Sequence, residues 1–363
     1  MNAARLFLPG VLLGSLLLLP AASQASWIDL SASWNAQGLG SGWGLVADPV
    51  GNTLYAFNGT QGKKYNPAAN TWTSIASAPH TAYTHGDNNT MVFYDNGKFY
   101  MRGHQRDYLS VYDIAGDSWT EVQIPTGSYP HSWSQGSIYN PTTKTFWPFW
   151  TSTSPWTDMV EAGYNVQSGL WTTLATPIDY GANVDKFHNR APGVIVGNYY
   201  YHLQDQTADR YIRMQRVRLD NWTDPQNAVL EDLALVDLGS GVNLGGSPAW
   251  GTRLLALVDV PGGPYLYVTG VDQSGVFAVY NVGSNTWTVL PTYPNAGTSG
   301  GYRDHSSAVI SYGGITWLFV QDGANFWAYQ AYVPEPSSVV LWTLGLVGLV
   351  VYRLRTAFRF RRI

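Results

Sequence analysis

Four segments of the chain lie over one another residue for residue: "YNPAANTWTSI" (Tyr65 to Ile75), "YDIAGDSWTEV" (Tyr112 to Val122), "YNVQSGLWTTL" (Tyr164 to Leu174) and "YNVGSNTWTVL" (Tyr280 to Leu290). Each has Tyr, then Asn or Asp, a Trp seven residues after the Tyr and an aliphatic residue three further on. A polar Asn/Pro/Gly centre between two apolar arms reads as a hairpin, with the Trp and the aliphatic residue turned into a core. A unit that recurs in this way must stack on its copies to bury its apolar face, which limits the chain to repeat architectures.

Upstream of each hairpin, and at two further places, lies a second one. "WGLVADPVGNTLYAFNG", "NTMVFYDNGKFYMRGH", "GSIYNPTTKTFWPFW", "APGVIVGNYYYHLQ", "TRLLALVDVPGGPYLYV" and "SSAVISYGGITWLFV" run apolar around a Gly, Asn or Pro turn. The six units begin near residues 43, 88, 135, 190, 251 and 305. Two hairpins per unit at this spacing predict four-stranded blades, and hence an all-β propeller of six blades. The stretch from Asn221 to Gly251 is long enough to hold a degenerate seventh.

The ends complement each other. The sixth unit reaches a third strand, "NFWAYQAYV", without a Trp-bearing fourth, while "SWIDLSASW" carries Trp27 and Leu30 at the missing positions. Residues 26–34 are therefore expected to close the last blade, leaving no bare sheet edge. The body is residues 26–333.

Composition narrows the function classes. Charged residues are only 12 % against 14 % aromatic, which suits short strands and tight turns rather than helices laced by ion pairs. Setting aside Arg5, the five tail arginines and Glu335 leaves the body 14 basic and 23 acidic residues, a net charge of −9. That balance disfavours nucleic acid, which binds through cationic neutralisation of phosphates. Cysteine is absent, excluding disulfides, thiolate nucleophiles and Cys metal sites. No His-x-His or His-x₃-His spacing and no twelve-residue calcium loop occurs, so neither a metal nor a cofactor is expected.

Residues 1–25, "MNAARLFLPGVLLGSLLLLPAASQA", have Arg5, an apolar run from Val11 to Leu19 and small residues at Ser23 and Ala25, the pattern of a signal peptide cut by signal peptidase. At the other end Pro334-Glu335-Pro336 precedes the uncharged stretch 337–352, "SSVVLWTLGLVGLVVY", and then Arg353, Arg355, Arg359, Arg361 and Arg362 in the tail 353–363. Sixteen helical residues rise ~24 Å, marginal for a ~30 Å hydrocarbon core, and the arginines would stay on the cytoplasmic side. One C-terminal transmembrane helix is expected, with the body outside.

Two resemblances follow from these residues. Residues 334–363, with their Pro-Glu-Pro, short apolar helix and terminal Arg cluster, resemble the PEP-CTERM sorting signal of Gram-negative bacteria that make extracellular polysaccharide. That resemblance implies recognition by an exosortase, processing near the motif, transient inner-membrane anchoring and delivery to the cell surface or matrix. The Tyr-Asn/Asp…Trp units resemble kelch repeats over most of residues 43–332, most weakly at "RMQRVRLDNWTDPQN". The kelch double glycine is mostly missing, with Asn58-Gly59 and Arg102-Gly103 in its place. Galactose-oxidase-like members of this architecture need a Cys-crosslinked Tyr at copper, which a cysteine-free chain cannot build.

Alternating strand direction puts the two hairpin turns of each blade on one face and the remaining loops on the other. All seven histidines are expected on the latter: His80, His85, His131, His188 and His305 before first strands, His104 and His202 at the ends of second strands. Arg102, Arg190, Arg303 and Trp133 accompany them as a candidate ligand-binding face. Antiparallel pairing would bring His85 beside His104, and His188 beside His202. The stretch "HGDNNTMVFYDNGKFYMRGHQ" faintly resembles the His-bearing blades of propeller polysaccharide lyases. There a His or Tyr takes the C5 proton of a uronate while a cation neutralises its carboxylate, roles that would fall to His85 and His104 for the proton and to Arg190 or Arg102 for the carboxylate. A hydrogen-bonded structural role between blades explains a single such His equally well, as in "YRDHSS" at His305. Trp27, Trp72, Trp119, Trp171 and Trp287 are expected in the core; Trp133, Trp150, Trp156 and Trp250 lie nearer the variable loops, where an aromatic ring can pack or stack on a sugar. The sequence thus points to an exported surface or matrix protein whose propeller binds carbohydrate or another matrix component; the alternatives are a glycan-active enzyme and a purely structural surface protein.

Overall fold

The computed structural model describes residues 27–40, 42–80, 91–102, 108–125, 133–151, 158–179, 193–203, 211–219, 230–238, 253–260, 262–270, 277–294 and 305–331. They form six four-stranded antiparallel sheets. Blade 1 is Gly44–Asp48, Thr53–Asn58, Gln61–Asn66 and Thr71–Ser74; blade 2 is Met91–Asp95, Lys98–Arg102, Tyr108–Asp113 and Ser118–Gln123. Blade 3 is Trp133–Asn140, Thr145–Thr151, Asp158–Asn165 and Leu170–Asp179; blade 4 is Gly193–Val196, Tyr199–Leu203, Met214–Arg218 and Leu230–Asp232. Blade 5 is Arg253–Val258, Tyr265–Gly270, Phe277–Asn281 and Thr286–Leu290. Blade 6 takes His305–Tyr312, Ile315–Asp322 and Asn325–Gln330 from the end of the body and Trp27–Asp29 from its start, with Trp27 opposite Tyr329.

First strands of neighbouring blades lie against one another, so they line the axis and the fourth strands form the rim. The second hairpin of blade 4 is prolonged by Tyr211–Ile212 pairing Val236–Asp237. The region that could have held a seventh blade therefore supplies the outer strand of the fourth, and the ring has six.

Turn chemistry sets the hairpin face. Asp48, Asn66, Asp113, Asn140, Asn165 and Asn281 each accept amides two or three residues on, closing Asx turns. The left-handed positions fall on Asn52, Asn70, Asn96, Asp117, Lys144 and Asn285 and on glycines, as tight hairpins require.

Between blades the strands bury aromatic and aliphatic side chains. Phe57, Phe99 and Tyr112 fill the seam between blades 1 and 2, Phe93 stacks on Tyr139 at 4.4 Å between blades 2 and 3, and Tyr267, Phe277 and Tyr329 meet between blades 5 and 6. The junction of blades 6 and 1 is sealed by the helix Ser31–Ala36, whose fully buried Trp34 lies 5.2 Å from Phe326 and 5.4 Å from Trp72.

The repeated Tyr and Trp are cross-strand partners: Tyr65 with Trp72, Tyr112 with Trp119, Tyr164 with Trp171, Tyr280 with Trp287. Beyond packing, the pairs of blades 2 and 5 build a clasp to the preceding blade. In blade 2 Asp117 Oδ1 accepts from the Tyr112 hydroxyl at 2.7 Å and from the Ala76 amide of blade 1 at 2.9 Å, while the Trp119 indole donates to the Ala76 carbonyl at 2.8 Å. Blade 5 repeats it with Tyr280, Asn285 and Trp287 around Ala234. Trp27 completes a partial version by donating to the Pro291 carbonyl at 3.1 Å. Of the repeat tryptophans only Trp72 is buried; Trp27, Trp119, Trp171 and Trp287 are half-buried along the seams.

Candidate functional site

On the face opposite the hairpin turns, the second strands of four blades end in polar side chains that are all but sealed from solvent: Arg102 in blade 2, His202 in blade 4, Thr269 in blade 5, and Gln321 and Asp322 in blade 6. Alternation along a strand decides where each points. In blade 2 Phe99 and Met101 pack toward blade 1 and Tyr100 toward blade 3, so Arg102 shares the side of Tyr100. In blade 4 Tyr201 and Leu203 pack toward blade 5, leaving Tyr200 and His202 on the blade 3 side.

Arg102 is 0 % exposed and sits opposite Met91. His202 is 2 % exposed, stacked on Tyr200 with ring centroids 5.8 Å apart, and opposite Gly193. A side chain on Gly193 would collide with the Tyr200 ring, which explains the glycine at that position. Burial pushes the His202 pKa down to about 4, its Nδ1 contact with the Leu203 carbonyl opposing the shift, so the imidazole is neutral at pH 7. Both residues lie beneath the surface and shape the face from behind.

Blade 6 supplies a hydrogen-bonded group of its own. Ser306 Oγ accepts from the Leu45 amide at 2.7 Å and donates to Gln321 Oε1 at 3.3 Å, while Gln321 Nε2 donates to the Gly323 carbonyl at 2.9 Å. Tyr293, from the loop after blade 5, donates its phenol to Asp322 Oδ2 at 2.7 Å, and Asp322 is the cross-strand partner of His305. Burial, then the Asp322 charge, drive the Tyr293 pKa far up, keeping the phenol protonated as the donor.

Of the sequence-predicted residues, His305 opens the first strand of blade 6 and Trp133 that of blade 3. Both begin at the face where Arg102 and His202 end. His80 is also on this face, following the outer strand of blade 1, its Nδ1 2.8 Å from a carboxylate oxygen of Glu121 in blade 2. His85, His104, His131, His188, Arg190 and Arg303 lie outside the described residues, and so do Pro334, Glu335, Pro336, Arg353 and Arg355. Among the described residues no three His, Asp or Glu side chains converge as metal ligands, and no helix is long and apolar enough to cross a membrane. Gln321, Asp322, Tyr293 and Thr269 were not singled out from the sequence. Three of them occupy the same second-strand ends as Arg102 and His202, a position-based signal that a search for histidines passes over.

Solved structures resemble this one in fold. A fungal alcohol oxidase of the AA5 family, in complex with copper, is 11% identical over 80% of this chain and 73% of its own, with a TM-score of 0.51. YjhT is 10% identical over 82% of this chain and 96% of its own, with a TM-score of 0.50. Regucalcin from Agrobacterium tumefaciens, a calcium-binding protein, is 15% identical over 80% of this chain and 92% of its own, with a TM-score of 0.48. The chain is a six-bladed β-propeller. No protein-family model and no curated protein matches it. At such identities the likeness concerns the fold alone, and the copper and calcium belong to those proteins.

Proposed function

We propose that this is an exported protein, anchored for a time at the inner membrane through residues 337–352, released by an exosortase acting at Pro334-Glu335-Pro336, and functioning at the cell surface or in the matrix by binding carbohydrate or another matrix component. The observation that carries the binding role is the asymmetry of the two faces. One is closed by short Asx turns whose polar groups are consumed locally. The other gathers Arg102, His202, Thr269, Gln321, Asp322 and Tyr293 just beneath its surface and places Trp133 and His305 at its strand starts. These buried groups hold the face in shape from behind, while Trp133 and His305 at the strand starts bring to it an aromatic and a hydrogen-bonding residue type suited to polyhydroxylated rings.

The export reading rests on the residue pattern of the two ends, and the absence of cysteine leaves the body indifferent to redox conditions outside the cell. A polysaccharide lyase would rely on His85, His104 and Arg190, and no observation among the described residues favours it over binding. The test is a panel of neutral and acidic polysaccharides offered to the purified chain, with absorbance monitored for unsaturated uronate. Saturable binding without product supports the proposal; product that disappears in a His85→Ala/His104→Ala variant replaces it with the lyase.

A further inference from the structure

The two ends of the body leave the propeller at one point. In blade 6 the third strand, Asn325–Gln330, runs toward the hairpin face, and Ala331 donates its amide to the Thr316 carbonyl at 2.9 Å, beside the turn that joins Tyr312 to Ile315. Trp27, the first described residue of the start, pairs with Tyr329 and so emerges next to it. Only residues 332–336 separate Ala331 from the apolar segment that begins at Ser337. At the extended limit of the backbone that is a reach of ~20 Å. A chain tethered so briefly at the edge of one face has little freedom to present another to the bilayer.

The turns nearest this exit differ from those farther round the ring. Val50, in the first turn of blade 1, is 76 % exposed, and Tyr312, in the first turn of blade 6, is 41 % exposed. The two turns are joined by the Ser311 amide donating to Asn52 Oδ1 at 3.3 Å. Their one ionisable carboxyl, Asp48, is buried and capped by the Val50 and Gly51 amides. In blades 2 and 3 the same face carries the ion pairs Lys98–Asp113 and Lys144–Asp95. The uncharged, apolar-tipped sector therefore coincides with the exit of the tether. An exposed Tyr beside an apolar residue suits the headgroup boundary, where a ring has one end dry and one end wet.

We infer that the hairpin-turn sector of blades 6 and 1, tipped by Tyr312 and Val50, rests on the lipid bilayer while the C-terminal segment is inserted, so that the opposite face points away from the membrane toward the matrix. This rests on the proposed anchoring by residues 337–352. It adds an orientation: the ligand face is usable before release as well as after.

The absence of cysteine makes the test direct. Val50→Cys, Tyr312→Cys and, on the opposite face, Ala324→Cys are each made in the full chain, labelled with an environment-sensitive fluorophore, and reconstituted into phosphatidylcholine/phosphatidylglycerol liposomes containing a lipid-borne quencher. Circular dichroism checks that each variant is folded. The inference expects quenching several-fold stronger at positions 50 and 312 than at 324, with a blue shift at the first two only. If the chain fails to co-float with liposomes, the anchor is wrong and the orientation falls with it. If it co-floats and position 324 is quenched as strongly as 50 and 312, the anchor stands and the orientation is overturned.

Discussion

Replacing Trp27 by Ala probes how the ring is held shut. Trp27 belongs to a three-residue strand, and its indole lies 5.0 Å from Phe277, 5.3 Å from Tyr293 and 4.9 Å from Tyr329, bridging blades 5 and 6. A fully buried Trp→Ala change costs about 3–5 kcal/mol. Trp27 is half-buried and its hydrogen bond to Pro291 is exposed to solvent, so the loss belongs at the lower end, about 3 kcal/mol. With a urea m-value of about 3 kcal/mol/M, the upper part of the range for small proteins, the midpoint falls by about 1 M. The assay is equilibrium urea unfolding followed by far-UV circular dichroism, because removing a Trp alters fluorescence for trivial reasons. Ile28→Ala on the same strand is the control: its side chain is exposed, and the expected change is within about 0.5 kcal/mol. A Trp27→Ala midpoint within error of the parent, or an Ile28→Ala loss equal to it, would refute the idea that this strand seals the ring through its Trp.

Three further outcomes follow from the same structure. Asp117→Ala removes the acceptor shared by Tyr112 and Ala76 and puts Ala at a positive φ, so unfolding should come about 2–3 kcal/mol sooner, whereas Asp117→Asn, matching Asn70 and Asn285, should stay within about 0.5 kcal/mol. His202 has a folded pKa pushed down to about 4 from an ordinary 6.5, so the unfolded chain binds the extra proton between those values and stability falls as pH drops through that window. His202→Gln should flatten the loss by up to about 3 kcal/mol relative to the parent in pH-dependent denaturation, and parallel curves would contradict the burial argument. Gly193→Ala drives a methyl group into the Tyr200 ring beneath His202 and should destabilise the chain by about 1–3 kcal/mol, while Gly59→Ala, with open space around it, should cost only the positive-φ strain of about 1 kcal/mol; equal losses would show that Tyr200 is free to move aside.

The repeat made the six blades legible because Tyr and Trp seven residues apart are cross-strand partners around a tight turn, a spacing that hairpin geometry dictates. Blade 4 was hard to see for a definite reason: Val217 and Leu230 occupy the positions of Tyr and Trp, so the register is kept and the signature is lost. Its Ala234 still receives the clasp from Asn285 and Trp287, which shows that the signature of one blade serves the blade before it. That is also why Trp27, Trp119 and Trp287 are half-buried rather than in a closed core: their indoles reach across a seam to a carbonyl. In the candidate site the sequence could say which end of a strand a residue occupies but not which way it turns. Arg102 and His202 stand at the expected strand ends, yet the side they share with Tyr100 and Tyr200 takes them into the seams. The Tyr293–Asp322 pair joins a loop to a strand of the next blade, 29 residues apart, a contact that no local pattern encodes.

The central claim, that the face at the second-strand ends binds a matrix polysaccharide, is tested most directly by titrating the purified chain against isolated extracellular polysaccharide in an isothermal calorimeter, with a His305→Ala/Trp133→Ala variant and a Val50→Ser variant alongside. The account predicts saturable binding by the parent and Val50→Ser and a loss of at least about tenfold, some 1.4 kcal/mol, in the double variant. Equal affinity in all three, or a loss confined to Val50→Ser, would contradict it.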